Sequence, residues 1–386
     1  MTLTTVRAGM VEPFHVMRIL AEARRMEAQG IDIVHMEVGE PDFPSPAPIV
    51  AAGVEALRQG DTHYTPALGL PALREAIAAY YLERFDVGIP ASRVVVTPGA
   101  SGALQLMLTL LAEANSSVLL TDPGYPCNRN LVRLADAVPI SVPVGPEEDF
   151  QLTPASVVSA WREDTRVVIV TTPSNPTGSV LSLAALGALQ QTVRDEGGIF
   201  IVDEIYQGLT YDEPPTTALK LGPDVVVINS FSKYFGMTGW RLGWLVAPEP
   251  MIPALDKLAQ NLYLAPSTPA QHAALAAFLP ETMEILERRR AEFQRRRDYL
   301  ADALEGLGFR LGYRPAGAFY LYADCSAFGQ ESDALARRLL TEAHVAVTPG
   351  RDFEQHAPAK HIRFAYTADI DRLREGIRRI KGLLAG

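Results

Sequence analysis

Three apolar runs in the middle of the chain, each ending in polar side chains, restrict its fold more than any other feature. Val167 to Val170 leads through Thr171-Thr172 into Pro173-Ser174-Asn175-Pro176-Thr177-Gly178. Ile199 to Val202 ends in Asp203-Glu204-Ile205-Tyr206, and Val225 to Ile228 leads into Ser230-Phe231-Ser232-Lys233. Fully apolar strands bounded by turn residues fit a parallel sheet covered on both faces. Ligands of such sheets bind at the carboxyl ends of the strands, so Asn175, Asp203 and Lys233 project toward one edge. They lie 28 residues (175 to 203) and 30 residues (203 to 233) apart. One strand-helix-strand repeat has roughly that length.

The residue types at that edge fit one kind of chemistry. A lysine amine condenses with an aldehyde, and serine hydroxyls with an arginine hold a phosphate. Lys233 stands beside Ser230 and Ser232, with Gly236-Met237-Thr238-Gly239-Trp240-Arg241 just after it. An aldehyde that carries a phosphate and needs a lysine is pyridoxal phosphate. Its pyridine nitrogen withdraws electrons best when protonated, and a carboxylate such as Asp203 keeps it so. Asn175 and Tyr206 suit its phenolic oxygen. Singly, Asp203 also reads as a helix cap and Asn175 before proline as a turn residue. The ordered set carries the reading.

A second phosphate-binding feature lies upstream. Val94-Val95-Val96 reads as a strand, Thr97 to Gly102 as a small-residue turn, and Ala103 to Met107 as a helix. Free N–H groups and the helix dipole favour an anion at such an entry. Neither G-x-G-x-x-G nor a P-loop is present, which removes the main support for dinucleotide or nucleotide binding.

From Val38-Gly39-Glu40-Pro41-Asp42-Phe43 to Ile362-Arg363-Phe364, the chain resembles the class I and II aminotransferases of the fold-type I, aspartate-aminotransferase-like superfamily. The resemblance implies pyridoxal 5'-phosphate as cofactor, bonded by the catalytic Lys233. It implies Asp203 at the pyridine nitrogen and Asn175 and Tyr206 at the phenolic oxygen. Ala100, Ser101, Ser230 and Arg241 match phosphate-binding positions, and Tyr125 matches the aromatic that stacks on the cofactor ring. Tyr64 matches a tyrosine that reaches the phosphate of a neighbouring subunit, which implies a homodimer with a shared active site. Arg363 matches the arginine that grips the substrate carboxylate, with Gly39 and Asn175 beside it. Arginine suits that task because it binds a carboxylate bidentately in a fixed plane. His361 to Tyr366 alternates like a half-buried strand, which gives Arg363 an inward position.

The activity implied is transfer of an amino group between an L-amino acid and a 2-oxo acid by a ping-pong mechanism. Lys233 then serves as general base and acid. In one bacterial branch of aspartate enzymes a lysine stands where this chain has Ser101, so a neutral or aromatic amino donor is preferred over a dicarboxylate. Glutamate or 2-oxoglutarate as the other partner is a generic expectation of the family. Arg351 is an alternative source of charge, set against a surface pairing with Asp352 or another neighbour. A carbon–sulfur lyase or cyclopropane-forming synthase of the same fold stays open, as does a non-enzymatic regulator. The regulator reading lacks the added DNA-binding domain it normally carries.

Net charge is −10, which does not favour nucleic acid. The arginines at 288–290 and 295–297 are interleaved with Glu281, Glu284, Glu287 and Glu292 and read as a solvated helix. The two cysteines, Cys127 and Cys325, read as reduced thiols of a cytoplasmic protein. No apolar run approaches the roughly 20 residues of a membrane span. The first nine residues lack the apolar core of a signal peptide. The histidines form no zinc signature, and no G-x-S-x-G elbow is present.

These patterns predict an α/β fold. Its large domain, 49–280, holds a doubly wound, mostly parallel sheet. A smaller α+β domain comes from both chain ends, 1–48 and 281–386. Expected helices are Val16 to Gln29, ended by Gly30, then Glu281 to Leu307, closed by Gly306 and Gly308, and one starting at Asp369. Ala318 to Ala323 and Val345 to Thr348 are expected strands, and Ile31 to Pro48 an extended crossing segment.

Overall fold

The structure is a computed structural model that describes residues 3–385. Seven strands form one sheet, in the order Val94–Thr97, Gly243–Val246, Val226–Ser230, Ile199–Asp203, Thr165–Thr171, Ser117–Asp122, Val138–Pro143. Every neighbouring pair is parallel except the two made by Gly243–Val246. Both faces are covered, as the unbroken apolar runs require. In Thr165–Thr171, Val168 and Val170 enter one core while Val167 and Ile169 enter the other. The helices Gly99–Leu111 and Ile252–Leu262 cover one face through Leu104, Met107, Leu255 and Ala259. Pro71–Phe85 and Leu183–Asp195 cover the other through Leu73, Ile77, Leu186 and Leu189. Each fully buried aliphatic side chain contributes about 1.5–3 kcal/mol over an exposed one, so chemically useful residues are left to the strand ends.

The helix after Val94–Thr97 starts earlier than the sequence predicts, at Gly99 rather than Ala103. Its first turn lies hard against Gly243, where an added Cβ would stand 2.7 Å from Gly99 C and 2.8 Å from Ala100 N. Ala100 and Ser101 therefore sit within the first turn, where backbone N–H groups lack helical partners.

The remaining strands come from the two ends of the chain. A four-stranded antiparallel sheet runs Thr348–Pro349, His361–Ala365, Tyr320–Asp324, Arg310–Leu311, and Val34–His35 pairs in parallel with Val345–Ala346. The strand expected at Val345 to Thr348 is thus two pieces. The chain leaves one sheet at Ala346 and enters the other at Thr348, whose hydroxyl donates to Glu37 O at 3.1 Å. His361–Ala365 is buried from Ile362 onward rather than alternating, because the face that carries Arg363 is roofed by Tyr320 and Phe353.

The long helix spans Pro280–Gly306 and the last helix Ile370–Ala385. Asp369 Oδ1 accepts from Asp371 N and Arg372 N at 3.0 Å, which caps the last helix. The arginine-rich stretch of the long helix is not wholly solvated. Arg296 and Arg297 are buried. Arg296 donates to Asp42 and to Thr367 O at 2.9 and 2.7 Å, and Arg297 to Pro315 O at 2.9 Å. Ion pairs and carbonyls at those ends offset the desolvation of two guanidinium groups, a tertiary fact that charge alternation does not reveal.

One buried carboxylate ties the large sheet to the C-terminal loops. Asp122, the last residue of its strand, accepts from Gln355 N at 2.9 Å, His356 N at 3.1 Å and His356 Nδ1 at 2.6 Å. Asp122→Ala strands those donors and is expected to cost about 2–4 kcal/mol. A thermal melt in which the midpoint stays put would show that the loop is held by other contacts.

Candidate active site

At the carboxyl ends of the parallel strands lies a cavity of about 270 Å³. It gathers Asn175, Asp203 and Lys233 from three successive strand ends, with Gly39, Ala100, Ser101, Tyr125, Tyr206, Ser230, Arg241 and Arg363. Of the residues expected to hold cofactor or substrate, Tyr64 alone lies outside it. That side chain is 83% exposed, on the loop after the helix Ala47–Gln59.

Asp203 ends the strand Ile199–Asp203 and is 4% exposed. Its Oδ1 accepts from Ile205 N at 3.1 Å, and no cation pairs with it among the described residues. Burial pushes its acid up to about 7, opposed by the Ile205 hydrogen bond. A buried carboxylate without a counter-ion is costly, and a cationic N–H placed in the cavity would relieve that cost.

Lys233 follows the next strand. Its Nζ donates to Gly39 O at 2.7 Å, and burial lowers its amine to about 8. A neutral amine, the nucleophilic form, is therefore far more accessible than on a surface lysine.

Around the first turn of Gly99–Leu111 stands an anion cradle. Ser230 Oγ accepts from Ser232 N at 3.1 Å. Arg241 Nη1 donates to Thr238 O at 3.0 Å, and a Cβ on Gly99 would come within 2.8 Å of its Nη2. Gly99 has φ +70°, so both its conformation and its lack of a side chain let the guanidinium reach the helix N-terminus. Free N–H groups, hydroxyls and a guanidinium converging on one spot suit a phosphate. With the unpaired Asp203 and the softened Lys233, the donor set fits pyridoxal phosphate.

Arg363 forms the other end of the cavity. It is 3% exposed. Its Nη1 donates to Asn175 Oδ1 at 2.9 Å and its Nη2 to Glu37 O at 2.5 Å. The guanidinium lies 4.3 Å from the Tyr320 ring centroid and 4.5 Å from that of Phe353. Its Nε is buried with no partner. A sandwiched guanidinium with an unsatisfied N–H is built to take one more acceptor, such as a carboxylate.

Several lining residues are absent from the sequence reading. Tyr320, Phe353, Phe14, Val16, Met17 and Asp352 all border the cavity. Phe14 stacks on Tyr125, with centroids 6.0 Å apart. Asp352 accepts from His15 N at 3.0 Å and Val16 N at 3.1 Å, so it caps the helix His15–Glu27. Tyr320 leaves no room for a side chain at Gly39, where a Cβ would stand 1.9 Å from its hydroxyl. Its one sequence clue is position. It pairs with Ala365, two residues from Arg363, on the adjacent strand. Arg351 pairs with Asp333 at 2.9 Å and does not line the cavity.

Comparison with known proteins gives concordant matches. The sequence profile of the aminotransferase class I and II family matches residues 31–380. A valine–pyruvate aminotransferase of Mycobacterium tuberculosis is 37% identical over 378 residues, covering 97% of each chain. An aspartate/prephenate aminotransferase of Thermus thermophilus is 32% identical over 381 residues, covering 98% of each. The crystal structure of an aminotransferase from Mycobacterium tuberculosis superposes with a TM-score of 0.96 at 36% identity, covering 100% of both chains.

The isolated charge of Asp203 has a measurable sign. Its folded-state acid, near 7, lies above the ordinary carboxylate value of about 3.9. The folded chain therefore holds the proton more tightly, and stability falls as pH rises from about 4 to about 7. In the cofactor-free chain, Asp203→Asn is expected to raise stability at pH 8 by up to about 4 kcal/mol, the gain shrinking toward pH 4. Urea melts at several pH values test this. Equal stability of both proteins at pH 8 would mean the carboxylate is compensated.

Proposed function

The chain belongs to the class I and II aminotransferases, which depend on pyridoxal 5'-phosphate, and from that premise we propose that it is a transaminase preferring neutral or aromatic L-amino acids as donors, with a 2-oxo acid as acceptor. The carrying observation is the wall beyond Arg363. Phe14, Val16, Met17 and Phe353 line it, and the carboxylate among the lining residues beside them, Asp352, is an acid. The cavity's cations, Lys233, Arg241 and Arg363, each have another task in this reading. A second substrate carboxylate would meet no further cation among the described lining residues. The valine–pyruvate name of the Mycobacterium relative favours the same preference, while the aspartate/prephenate name of the Thermus relative marks the alternative.

Pyridoxal phosphate, when bound, supplies an electron-withdrawing ring that takes up the charge left at Cα as a proton departs. The protein does the rest. Asp203 holds a proton on the ring nitrogen, and Asn175 with Tyr206 holds the phenolic oxygen. Ala100, Ser101, Ser230 and Arg241 hold the phosphate, and Tyr125 covers the ring. Arg363 and the backbone at Gly39 grip the substrate carboxylate and so fix which Cα bond faces the ring. Lys233 Nζ would take the Cα proton and deliver one to the carbon of the cofactor's former aldehyde, a task its lowered pKa suits. Two half-reactions sharing one site give ping-pong kinetics.

A second copy of the chain belongs to this reading. Tyr64 is exposed, as are Val50, Val54 and Leu57 on one helix and Leu262 and Leu264 nearby in sequence to one another. A dimer face across these residues would deliver Tyr64 to the partner's phosphate. The reading also takes 49–280 as the cofactor-holding unit and 1–48 with 281–386 as the smaller unit closing on it. Cysteines left unpaired accord with a cytoplasmic setting.

Rapid mixing of the holoenzyme with single amino acids, followed by the bound cofactor's absorbance, tests the proposal. Neutral and aromatic donors are expected to exceed aspartate by about tenfold or more in kcat/KM, a difference of about 1.4 kcal/mol. Aspartate as the fastest donor would reverse the preference. Ammonia or thiol release without a 2-oxo acid would assign a lyase instead. Lys233→Ala is expected to lose at least about 10²–10⁴-fold in rate, and undiminished turnover would remove Lys233 from the mechanism.

A further inference from the structure

Two buried phenols meet at the edge of the cavity. Tyr206 Oη and Tyr320 Oη lie 2.9 Å apart, and the residues are 4% and 1% exposed. Both line the cavity, and among the described residues neither hydroxyl makes another hydrogen bond. Each hydroxyl carries one proton, and their mutual bond uses one of the two. One O–H is therefore left to point at an acceptor that enters the cavity.

Which phenol keeps the spare proton follows from their surroundings. The Arg363 guanidinium sits on the face of the Tyr320 ring, 4.3 Å from its centroid. A cation there draws density from the ring and makes its O–H the stronger donor. Tyr206 instead meets the edges of Phe319 and Tyr320, at 5.4 and 5.8 Å. Burial raises both phenols and Arg363 opposes the rise at both, but Arg363 stands next after burial at Tyr320 and behind the influence of Tyr320 itself at Tyr206. Donation from Tyr320 to Tyr206 follows from that cation on the Tyr320 ring and leaves Tyr206 with the free proton, although the 2.9 Å contact accommodates either donor. A hydroxyl that accepts one hydrogen bond donates another more strongly.

We propose that Tyr320 is a positioning residue that orients the Tyr206 hydroxyl and strengthens its donation to the cofactor's phenolic oxygen. This rests on the placement of Tyr206 at that oxygen in the reading above. It also accounts for Gly39. A side chain at 39 would displace the Tyr320 hydroxyl and break the relay.

The test is a pH titration of the bound cofactor's visible absorbance. Donation to the phenolic oxygen stabilises its negative charge and so lowers the titration midpoint. Tyr206→Phe is expected to raise the midpoint. Tyr320→Phe is expected to raise it less, by about 0.2–0.7 pH, the share that a 10–30% weakening of one charge-assisted bond represents. The double variant is expected to match Tyr206→Phe alone. Because Tyr320→Phe keeps the ring on Arg363, its KM for the amino donor should change less than about twofold, whereas Tyr320→Leu should raise KM about tenfold or more. A shift in Tyr206→Phe with none in Tyr320→Phe, or two additive shifts, would overturn the relay while leaving Tyr206 in place. No shift in Tyr206→Phe would overturn its placement and the relay together. A merely structural role for Tyr320 would move the thermal midpoint without moving the titration.

Discussion

Charge buried without an opposite charge is the constraint around which this chain is arranged. Asp203 is met by one backbone N–H, Lys233 by one backbone carbonyl, and Arg363 by an amide and a carbonyl. Dipoles hold an ion less firmly than a counter-ion does, so each group stays open to a charged partner that enters. Full ion pairs would stabilise the empty fold and close the site at once. The cost is carried by the surrounding sheet, whose strands are apolar on both faces up to the residue where chemistry begins.

The crossing segment between the helices His15–Glu27 and Ala47–Gln59 shows how those tethers are coordinated. Glu37 O accepts from Arg363, Val38 O from Thr367 Oγ1 at 3.2 Å, and Gly39 O from Lys233 Nζ. Met36 closes the same stretch onto neighbouring backbone, donating to Ala346 O and accepting from Ala365 N at 2.9 and 2.7 Å. Further along, Glu40 accepts from Thr238, Asp42 pairs with Arg296, and Ser45 donates to Gly236 O. Carbonyls two residues apart therefore hold the Arg363 guanidinium and the Lys233 amine. Arg363 and Lys233 are thus restrained by one strap of backbone.

What the sequence reveals and hides follows from this arrangement. Asn175, Asp203 and Lys233 are legible because each ends an apolar strand, and the repeat length brings them to one edge. Ser101 is legible because small residues open a helix, and Arg241 because it closes the Gly-rich loop after Lys233. Tyr320 and Phe353 are not, since an aromatic in an apolar run has the same appearance whether it fills a core or faces a guanidinium. Phe14 and Met17 are hidden for a different reason: their role depends on where a terminal helix docks, which no local pattern encodes. The split of Val345 to Thr348 between two sheets escapes for the same cause, as does the burial of Arg296 and Arg297. Charge alternation predicts solvent, and only the tertiary partners Asp42, Asp212 and Pro315 O reverse it.

The lining formed by Phe14, Val16, Met17 and Phe353 has its own support, separate from Asn175, Asp203 and Lys233. Asp352 caps the helix His15–Glu27, a role in which a carboxylate satisfies free N–H groups and meets the positive helix end. That cap fixes Phe14 against Tyr125 on one side. On the other, Arg129 donates to Asp352 O and Phe353 O at 3.2 and 3.0 Å, which sets Phe353 on Arg363. This part of the cavity lining is thus one packed arch from Tyr125 to Arg363, made of residues from distant parts of the chain. Its shape can change through residues 14–17 and 352–353 while Asn175, Asp203 and Lys233 keep their places on the sheet. The two parts of the cavity lining are therefore separable in this fold, because different stretches of the backbone hold them.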